Sequence, residues 1–489
     1  MKFQIPHSFR LIYLAVLIII FAFAIFTPFC AATTEILVNP VNNPSGAVIL
    51  VIDGLGSKYI YPEFVPYTLE GEPIDKPHIK NLSEIYQRSV RVINVNAPET
   101  FTEAGHSVIV TGNSGADGEM VSYDGSTIYD VLSDRNYLNL AILQKGSFKQ
   151  MRDQQDILAY DRRNSINNPQ MNIGIGDIDT GSGIGSDIFD ILTIHSIEAP
   201  AYIAQFPQGS VQRYDAYNRW AIEAAIDIIE YMDTNAPTQK YMLTINVGAV
   251  DSAGHYLRDG GYIQTIEGID RTINSIYDIC HENNLLFVIT SDHGMAFEFR
   301  DSRGGHSSSI YSSAPESQMV PLIVSLPGLE PKVIKGEYGQ QDIGPTVLSL
   351  LNIPQELRFA DGEIIHLKDH ANLRITAPEK TIIELYKNDS IIAIGENDSD
   401  FHFIGLKPGY NYTIYMKNPD NRDIKIAEKT LFLEGDNALM IGNAIEGGSQ
   451  QESMKYFQSQ RYIAGNILII LINIAGILKI IKIYRDEEE

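Results

Sequence analysis

Five short pieces of the chain carry side chains able to hold metal ions or attack an electrophile. They are VIDG with Asp53, residues 99–119 (ETFTEAGHSVIVTGNSGADGE), VDSAGH with Asp251 and His255, TSDHG with Asp292 and His293, and RGGH with His306. The carboxylates and imidazoles form a mixed oxygen and nitrogen donor set, which suits two divalent transition-metal ions such as zinc or manganese. Asp251 and His255 stand four residues apart, a short reach, while the adjacent Asp292 and His293 can serve two different ions. Residues 99–119 add five hydroxyls, on Thr100, Thr102, Ser107, Thr111 and Ser114. That stretch alone does not say which of them is a nucleophile.

Such groups need a scaffold, and the surrounding pattern supplies one. Residues 47–52 (AVILVI) are wholly apolar and end at Asp53-Gly54, the signature of a buried parallel strand with a carboxylate at its tip. Leu138 to Leu143, Tyr241 to Val247, Leu285 to Ile289 and Met319 to Ser325 repeat it. Amphipathic helices lie between, one with Ala221, Ile222, Ala225, Ile226 and Ile229 on a single face, another with Ile266, Ile269, Ile273, Ile276 and Cys280. The alternation predicts an α/β unit with a mostly parallel sheet sandwiched by helices, and a site at the strand C-termini. From about Asn372 short alternating runs (TIIELYK, IIAIG, FHFIG, YTIYMK) predict a small β-sandwich, with Tyr412 as a corner tyrosine.

The 489 residues exceed one compact core. A net charge of −24 excludes a nucleic-acid polymer as partner, because tracking a phosphate backbone needs a basic face. Cys30 and Cys280 form no disulfide framework. Leu11 to Phe29 and Tyr462 to Leu478 are uncharged runs. The first reads as a signal peptide or membrane anchor. The second reads as a transmembrane helix whose following Lys479, Lys482 and Arg485 put the C-terminus in the cytoplasm. The expected division is 1–32 as signal or anchor, 40–371 as catalytic domain with a surface insertion at about 160–212, and 372–443 as β-sandwich. A linker (444–461), a transmembrane helix (462–481) and a cytoplasmic tail (482–489) complete it. The catalytic domain would then face outward from the cell membrane, in keeping with sequons at Asn81, Asn388, Asn397 and Asn411.

Read in order, Asp-Gly, a Thr in a Gly-His loop, Asp-x-x-x-His, Asp-His-Gly and Gly-x-His resemble the alkaline phosphatase superfamily of two-metal enzymes. The resemblance spans roughly residues 47–355 and includes QQDIGPTVLSLLNIP (340–354). It implies one metal held by Asp53, Asp292, His293 and the nucleophile, and another held by Asp251, His255 and His306. It also selects the hydroxyl. Thr102-Glu-Ala-Gly-His106 resembles the nucleophile loop of cofactor-independent phosphoglycerate mutases with threonine in place of serine. Nucleotide pyrophosphatase/phosphodiesterases likewise use a threonine nine residues before a Thr-Gly pair, here Thr111-Gly112. His106 is then a supporting residue, and the Glu103 N–H would bind phosphoryl oxygen.

The phosphodiesterase asparagine about twenty residues past the nucleophile has no counterpart in residues 121–124 (VSYD). Lys145 is a replacement for it in substrate binding, with Arg162-Arg163 a weaker one. The implied function is a membrane-anchored, extracytoplasmic phosphatase or phosphodiesterase acting on a phosphoester through a phosphothreonine. A mutase-like or envelope phosphotransferase is the alternative, and an inactive surface binding protein is the alternative of another class. The loop lacks the Cys/Ser-x-Pro-x-Arg motif that a sulfatase needs.

Overall fold

A computed structural model describes residues 33–176, 178–354 and 357–441. The expected signal or anchor, the linker, the transmembrane helix and the cytoplasmic tail lie outside the described residues. Among those described, no helix is long and apolar enough to cross a membrane.

The strands, in chain order, are β1 (Thr34–Leu37), β2 (Gly46–Ile52), β3 (Val90–Asn96), β4 (Leu138–Leu143), β5 (Ile157–Asp161), β6 (Met171–Ile175), β7 (Tyr241–Val247), β8 (Leu285–Thr290), β9 (Ala296–Phe297), β10 (Gly304–Gly305), β11 (Met319–Ser325), β12 (Lys332–Ile334) and β13 (Tyr338–Gly339). A ten-stranded sheet runs β12-β3-β11-β8-β2-β7-β4-β5-β6, with β13 also paired to β3. Its centre, β8-β2-β7-β4-β5, is parallel. β11 runs antiparallel to both of its neighbours, and β6 runs antiparallel to β5. Strands β2, β7 and β8 are buried along their whole length. That explains their unbroken apolar sequence: both faces of the sheet are covered. One face packs under α3 (Val211–Asn235), α4 (Ala249–Asp270) and α5 (Ile273–Glu282), the other under α1 (Thr102–Thr111) and α6 (Ile343–Leu350).

One expected segment gains detail and one expectation changes. Residues 160–212, read as a surface insertion, contain edge strand β6 and the 22-residue helix α2 (Gly183–Ala204), which packs along α3. The apolar positions Ile184, Ile188, Ile191, Leu192 and Ile203 give α2 a buried side, so the segment extends the sheet and its helical layer. The expected β-sandwich is instead one continuous six-stranded sheet. Its strands are β14 (Ala371–Lys387), β15 (Ser390–Leu406), β16 (Tyr410–Lys417), β17 (Lys425–Leu433) and β18 (Asn437–Met440), in the order β1-β15-β14-β16-β17 with β18 on β14. The two 17-residue strands β14 and β15 pair along both halves, with register shifts between Thr376 and Ile382. Leu373, Phe401 and Phe403 from one half meet Leu385, Ile414 and Met416 from the other in a shared core. The Tyr412 hydroxyl donates to the Lys407 carbonyl at 2.9 Å and accepts from the Lys407 N–H at 3.1 Å, closing the corner. Lys368 and Asp436, both nearly buried and 2.9 Å apart, tie this sheet to the rest.

Candidate metal centre

The central parallel strands end on one rim, and each delivers a side chain there. β2 runs into Asp53, β8 into Asp292 and His293, and β7 into α4, whose first turns carry Asp251 and His255. Asp53 is followed by Gly54 at φ +78°, where a Cβ would lie 2.8 Å from the Asp251 Cα, so the turn closes tightly on α4. The Gly54 N–H donates to Asp292 Oδ1 at 3.1 Å, and the Tyr262 hydroxyl donates to the Gly54 carbonyl at 2.9 Å. Helix α4 starts where its orphan N–H groups find partners: Gly248 N on Gln144 Oε1 at 2.8 Å, Ala249 N on Asn218 Oδ1 at 3.1 Å, and Asp251 N on the Asp53 carbonyl at 3.0 Å.

Helix α1 brings Thr102 to the same place. Gly105 makes this fit, since a Cβ there would stand 2.3 Å from the Asp292 carbonyl oxygen. Of the five hydroxyls in residues 99–119, four have other employment. Thr100 donates to the His306 carbonyl, Ser107 to the Glu103 carbonyl, Thr111 to the Ser107 carbonyl and Ser114 to Asp361. Thr102 Oγ1 lies 3.4 Å from His293 Nε2. No side chain caps α1 at Phe101, so the N–H groups of its first turn, that of Glu103 included, are left for an anion.

Two donor sets emerge. Asp53, Asp292 and His293 form one; Asp251, His293 and His306 form the other, with the ligand atoms of each within 4.8 Å of one another. His293 thus reaches both sets, where the sequence assigned it to one. His255 flanks the second, its Nε2 3.2 Å from Asp251 Oδ1 and 3.1 Å from His306 Nε2. The three imidazoles share a device: Nδ1 of His255, His293 and His306 lies 3.0, 2.9 and 2.6 Å from the carbonyls of Gly304, Gly294 and Thr100. A carbonyl only accepts, so Nδ1 carries the proton and each Nε2 lone pair is left for a cation.

The carboxylates are starved of partners. Both oxygens of Asp53, Oδ1 of Asp251 and Oδ2 of Asp292 are buried with no hydrogen bond. Such a cluster is costly unless a cation fills it, so these residues fit divalent ions. In the ion-free site, burial followed by the neighbouring Asp292 charge raises the Asp53 carboxyl well above its ordinary range. Burial works in the same direction on Asp251. There the Lys145 ammonium and the neighbouring imidazoles of His255 and His306 outweigh it and hold the carboxyl well below. Burial lowers His293 to about 4. His306 is raised, because the closeness and charge of Asp251 exceed its own burial penalty.

Lys145, expected only as a substrate contact, reaches Asp251 Oδ2 itself. Burial would neutralise it, but Asp251 and Asp53 together keep it protonated. Sequence reasoning overlooked Gln144, Asn218, Asn246 and Gln340. Asn246 Oδ1 accepts the Lys145 N–H at 2.7 Å, and its Nδ2 lies 3.1 Å from His106 Nε2. The other nitrogen of His106 is 2.8 Å from the Thr102 carbonyl, so Asn246 links the Lys145 turn to α1. Gln340 donates to the carbonyls of Ser291 and Asp292, both at 2.7 Å. Its place in QQDIGPT was the available signal, since a buried amide beside a helix start needs partners.

Residues 207–355 match the family described as Metalloenzyme superfamily. The chain resembles the alkaline phosphatase-superfamily metalloenzymes. Asp251, His255, Asp292, His293 and His306 fall inside the matched segment; Asp53, Thr102 and Lys145 fall before it. Among curated proteins, the chain is 30% identical over 151 residues to the 2,3-bisphosphoglycerate-independent phosphoglycerate mutase of Ehrlichia ruminantium (strain Gardel), covering 30% of this chain and 28% of that protein. With the enzyme of the same name from Gracilaria tenuistipitata var. liui the identity is 32% over 158 residues, covering 31% of this chain and 29% of that one. The alignments therefore span under a third of these relatives' length. Among solved structures, the alkaline phosphatase PafA aligns over 67% of this chain and 99% of its own, at 14% identity and a TM-score of 0.44. An alkaline phosphatase-superfamily protein from Vibrio parahaemolyticus aligns over 83% and 87%, at 13% and 0.44.

Proposed function

We propose that this chain is a divalent-metal phosphoester hydrolase, a phosphatase or phosphodiesterase, acting through a phosphothreonine at Thr102. The observation that carries the reading is the position of Thr102 Oγ1, 3.4 Å from His293 Nε2 and beside a nest of partnerless buried carboxylate oxygens. Asp53, Asp292 and His293 would hold one ion with Thr102, and Asp251, His255 and His306 the other. Bound there, two divalent ions would supply Lewis acidity that lowers the hydroxyl pKa and neutralises phosphoryl charge. The chain's own part is orientation. Helix α1 aims Thr102 for in-line attack, and its first-turn N–H groups, Glu103 among them, receive an equatorial oxygen. Lys145 places a fixed positive charge at the same rim.

A second reading, transfer of the phosphoryl group to another hydroxyl, is favoured by the mutase relatives and the TEAGH loop. Purified full-length chain, stripped with chelator and reloaded with zinc or manganese, would be assayed on p-nitrophenyl phosphate and bis-p-nitrophenyl phosphate. Metal-dependent release of nitrophenol that vanishes in Thr102→Ala supports the hydrolase. Turnover that appears only when an acceptor alcohol is supplied supports transfer, and failure to bind metal refutes both. Anchoring in the cell membrane with this site outside belongs to the same proposal. It rests on the two uncharged runs and the basic residues after the second. Protease accessibility of the site-bearing segment in intact cells tests it.

A further inference from the structure

Along the rim, charge changes sign in strand order. From β8 through β2 and β7 to β4 and β5 the strand ends present Asp292, Asp53, Asp251, Lys145 and then Arg162-Arg163. The β4–β5 ladder has Leu143 opposite Tyr160, so Lys145 and Arg162 each stand two residues past the same rung. Both arginines are exposed, and neither guanidinium makes an ion pair among the described residues, although the chain carries 61 acidic side chains against 37 basic ones. In a protein of that balance an arginine pair left without a carboxylate calls for an explanation.

The turn that bears them is fixed from within. Asp161, fully buried, accepts from the N–H groups of Arg163 at 3.0 Å, Ser165 at 2.8 Å and Gln170 at 2.8 Å, and from the Tyr217 hydroxyl at 2.8 Å. The Tyr217 hydroxyl also lies 3.4 Å from the carbonyl of Gln144, the residue before Lys145. Arg213, by contrast, is buried and donates to the carbonyls of Ile166, Asn167 and Phe206, pinning the far side of the loop. The buried arginine thus has a structural task and the exposed pair has none.

We infer that Arg162 and Arg163 form a second anion subsite, so that the substrate is a phosphoester carrying another phosphate or carboxylate at a distance from the scissile phosphorus. The strand of Asp251, β7, and that of the arginine pair, β5, stand two strand spacings, about 10 Å, apart. Guanidinium binds either anion through paired N–H donors, and here no internal partner has to be displaced. The inference rests on the phosphoester reading of the metal centre.

The test is calorimetric titration of the metal-loaded full-length Thr102→Ala chain, which binds without turnover, with an alkyl monophosphate and with a series of alkanediol bisphosphates and ω-carboxyalkyl phosphates of increasing spacer length. The expected result is a gain of about tenfold or more for a dianionic-ended ligand over the monophosphate, greatest at one intermediate spacer and reduced by salt. In Arg162→Ala/Arg163→Ala, checked for an unchanged thermal melt, the ratio of the two affinities should fall to near one. Equal affinity for both ligand types, or an advantage that survives in the double variant, overturns the subsite while leaving the hydrolase reading intact. No binding of the monophosphate overturns both. The bisphosphate and ω-carboxy arms separate a phosphate from a carboxylate as the second group.

Discussion

The imidazole rings of His293 and His306 stack in parallel, centroids 3.7 Å apart and planes 10° from each other. Each ring is anchored by its Nδ1 to a backbone carbonyl, and His293 stands between the two donor sets. His293 has a single Nε2 lone pair to offer, so His293→Ala and His255→Ala are each expected to deplete one metal equivalent. Metal content per chain after exhaustive dialysis checks this, and loss of both equivalents in His293→Ala would show that the ring position holds the two donor sets together.

Under the proposed mechanism Thr102→Ala should lower kcat by roughly three orders of magnitude or more, while the three remaining side chains of its donor set keep metal bound. Thr102→Ser should keep measurable turnover, and only these two variants should differ in trapping labelled phosphate on the chain. Labelled phosphoprotein in the alanine variant would move the nucleophile elsewhere.

Gly105 brings no side chain to the site, yet Gly105→Ala puts a methyl 2.3 Å from the Asp292 carbonyl. Helix α1 would have to shift, at a cost of about 1–3 kcal/mol. The expected outcome is a lower denaturation midpoint together with a fall in kcat of at least about tenfold. Unchanged kcat in a destabilised variant would mean that Thr102 tolerates the shift.

The partnerless carboxylates predict an inversion of the usual mutational sign. In chelator, Asp53→Asn should raise stability by about 1–3 kcal/mol, because it removes a buried carboxyl whose charged form burial and the Asp292 charge oppose. With metal present the same change should lower it. Denaturant curves with and without chelator read both signs.

A pH dependence resides far from the site. Burial, aided by the charges of Arg135 and Arg374, lowers His402 in β15 from 6.5 to about 3. Unfolded chain then binds a proton that folded chain refuses. The associated stability is complete above pH 6.5 and is lost as pH falls toward 3, with a slope of up to about 1.4 kcal/mol per pH unit. His402→Asn should flatten that slope between pH 6 and 4. An unaltered slope would assign the acid sensitivity to other groups.

The readable parts of this chain were those with local signatures. Buried parallel strands announce themselves as unbroken apolar runs, so the alternation alone places Asp53, Asp251 and Asp292 on one rim. The ligand motifs are spaced by helix geometry or by single turns, and they too are local. What escaped depended on distant partners. Lys145 could not be matched to Asp251 across 106 residues, because a lysine after a strand has no signature of its own. The edge strand β6 hid in a Gly- and Asp-rich stretch without strand-like composition. The C-terminal runs were recognisable as strands, but whether they pair into one sheet or two is decided by register, which composition does not encode.

Strand β1 has a consequence for how the chain reaches its native state. It pairs parallel to β15, Thr34 opposite Phe401, so the earlier-made partner waits for one made 367 residues later. The ten-stranded sheet needs no such wait, because β2 to β13 lie between the two partners in the sequence. The sheet of β14 to β18 therefore closes last, and β1, left without its partner until β15 appears, is the stretch most open to mispairing while the chain emerges.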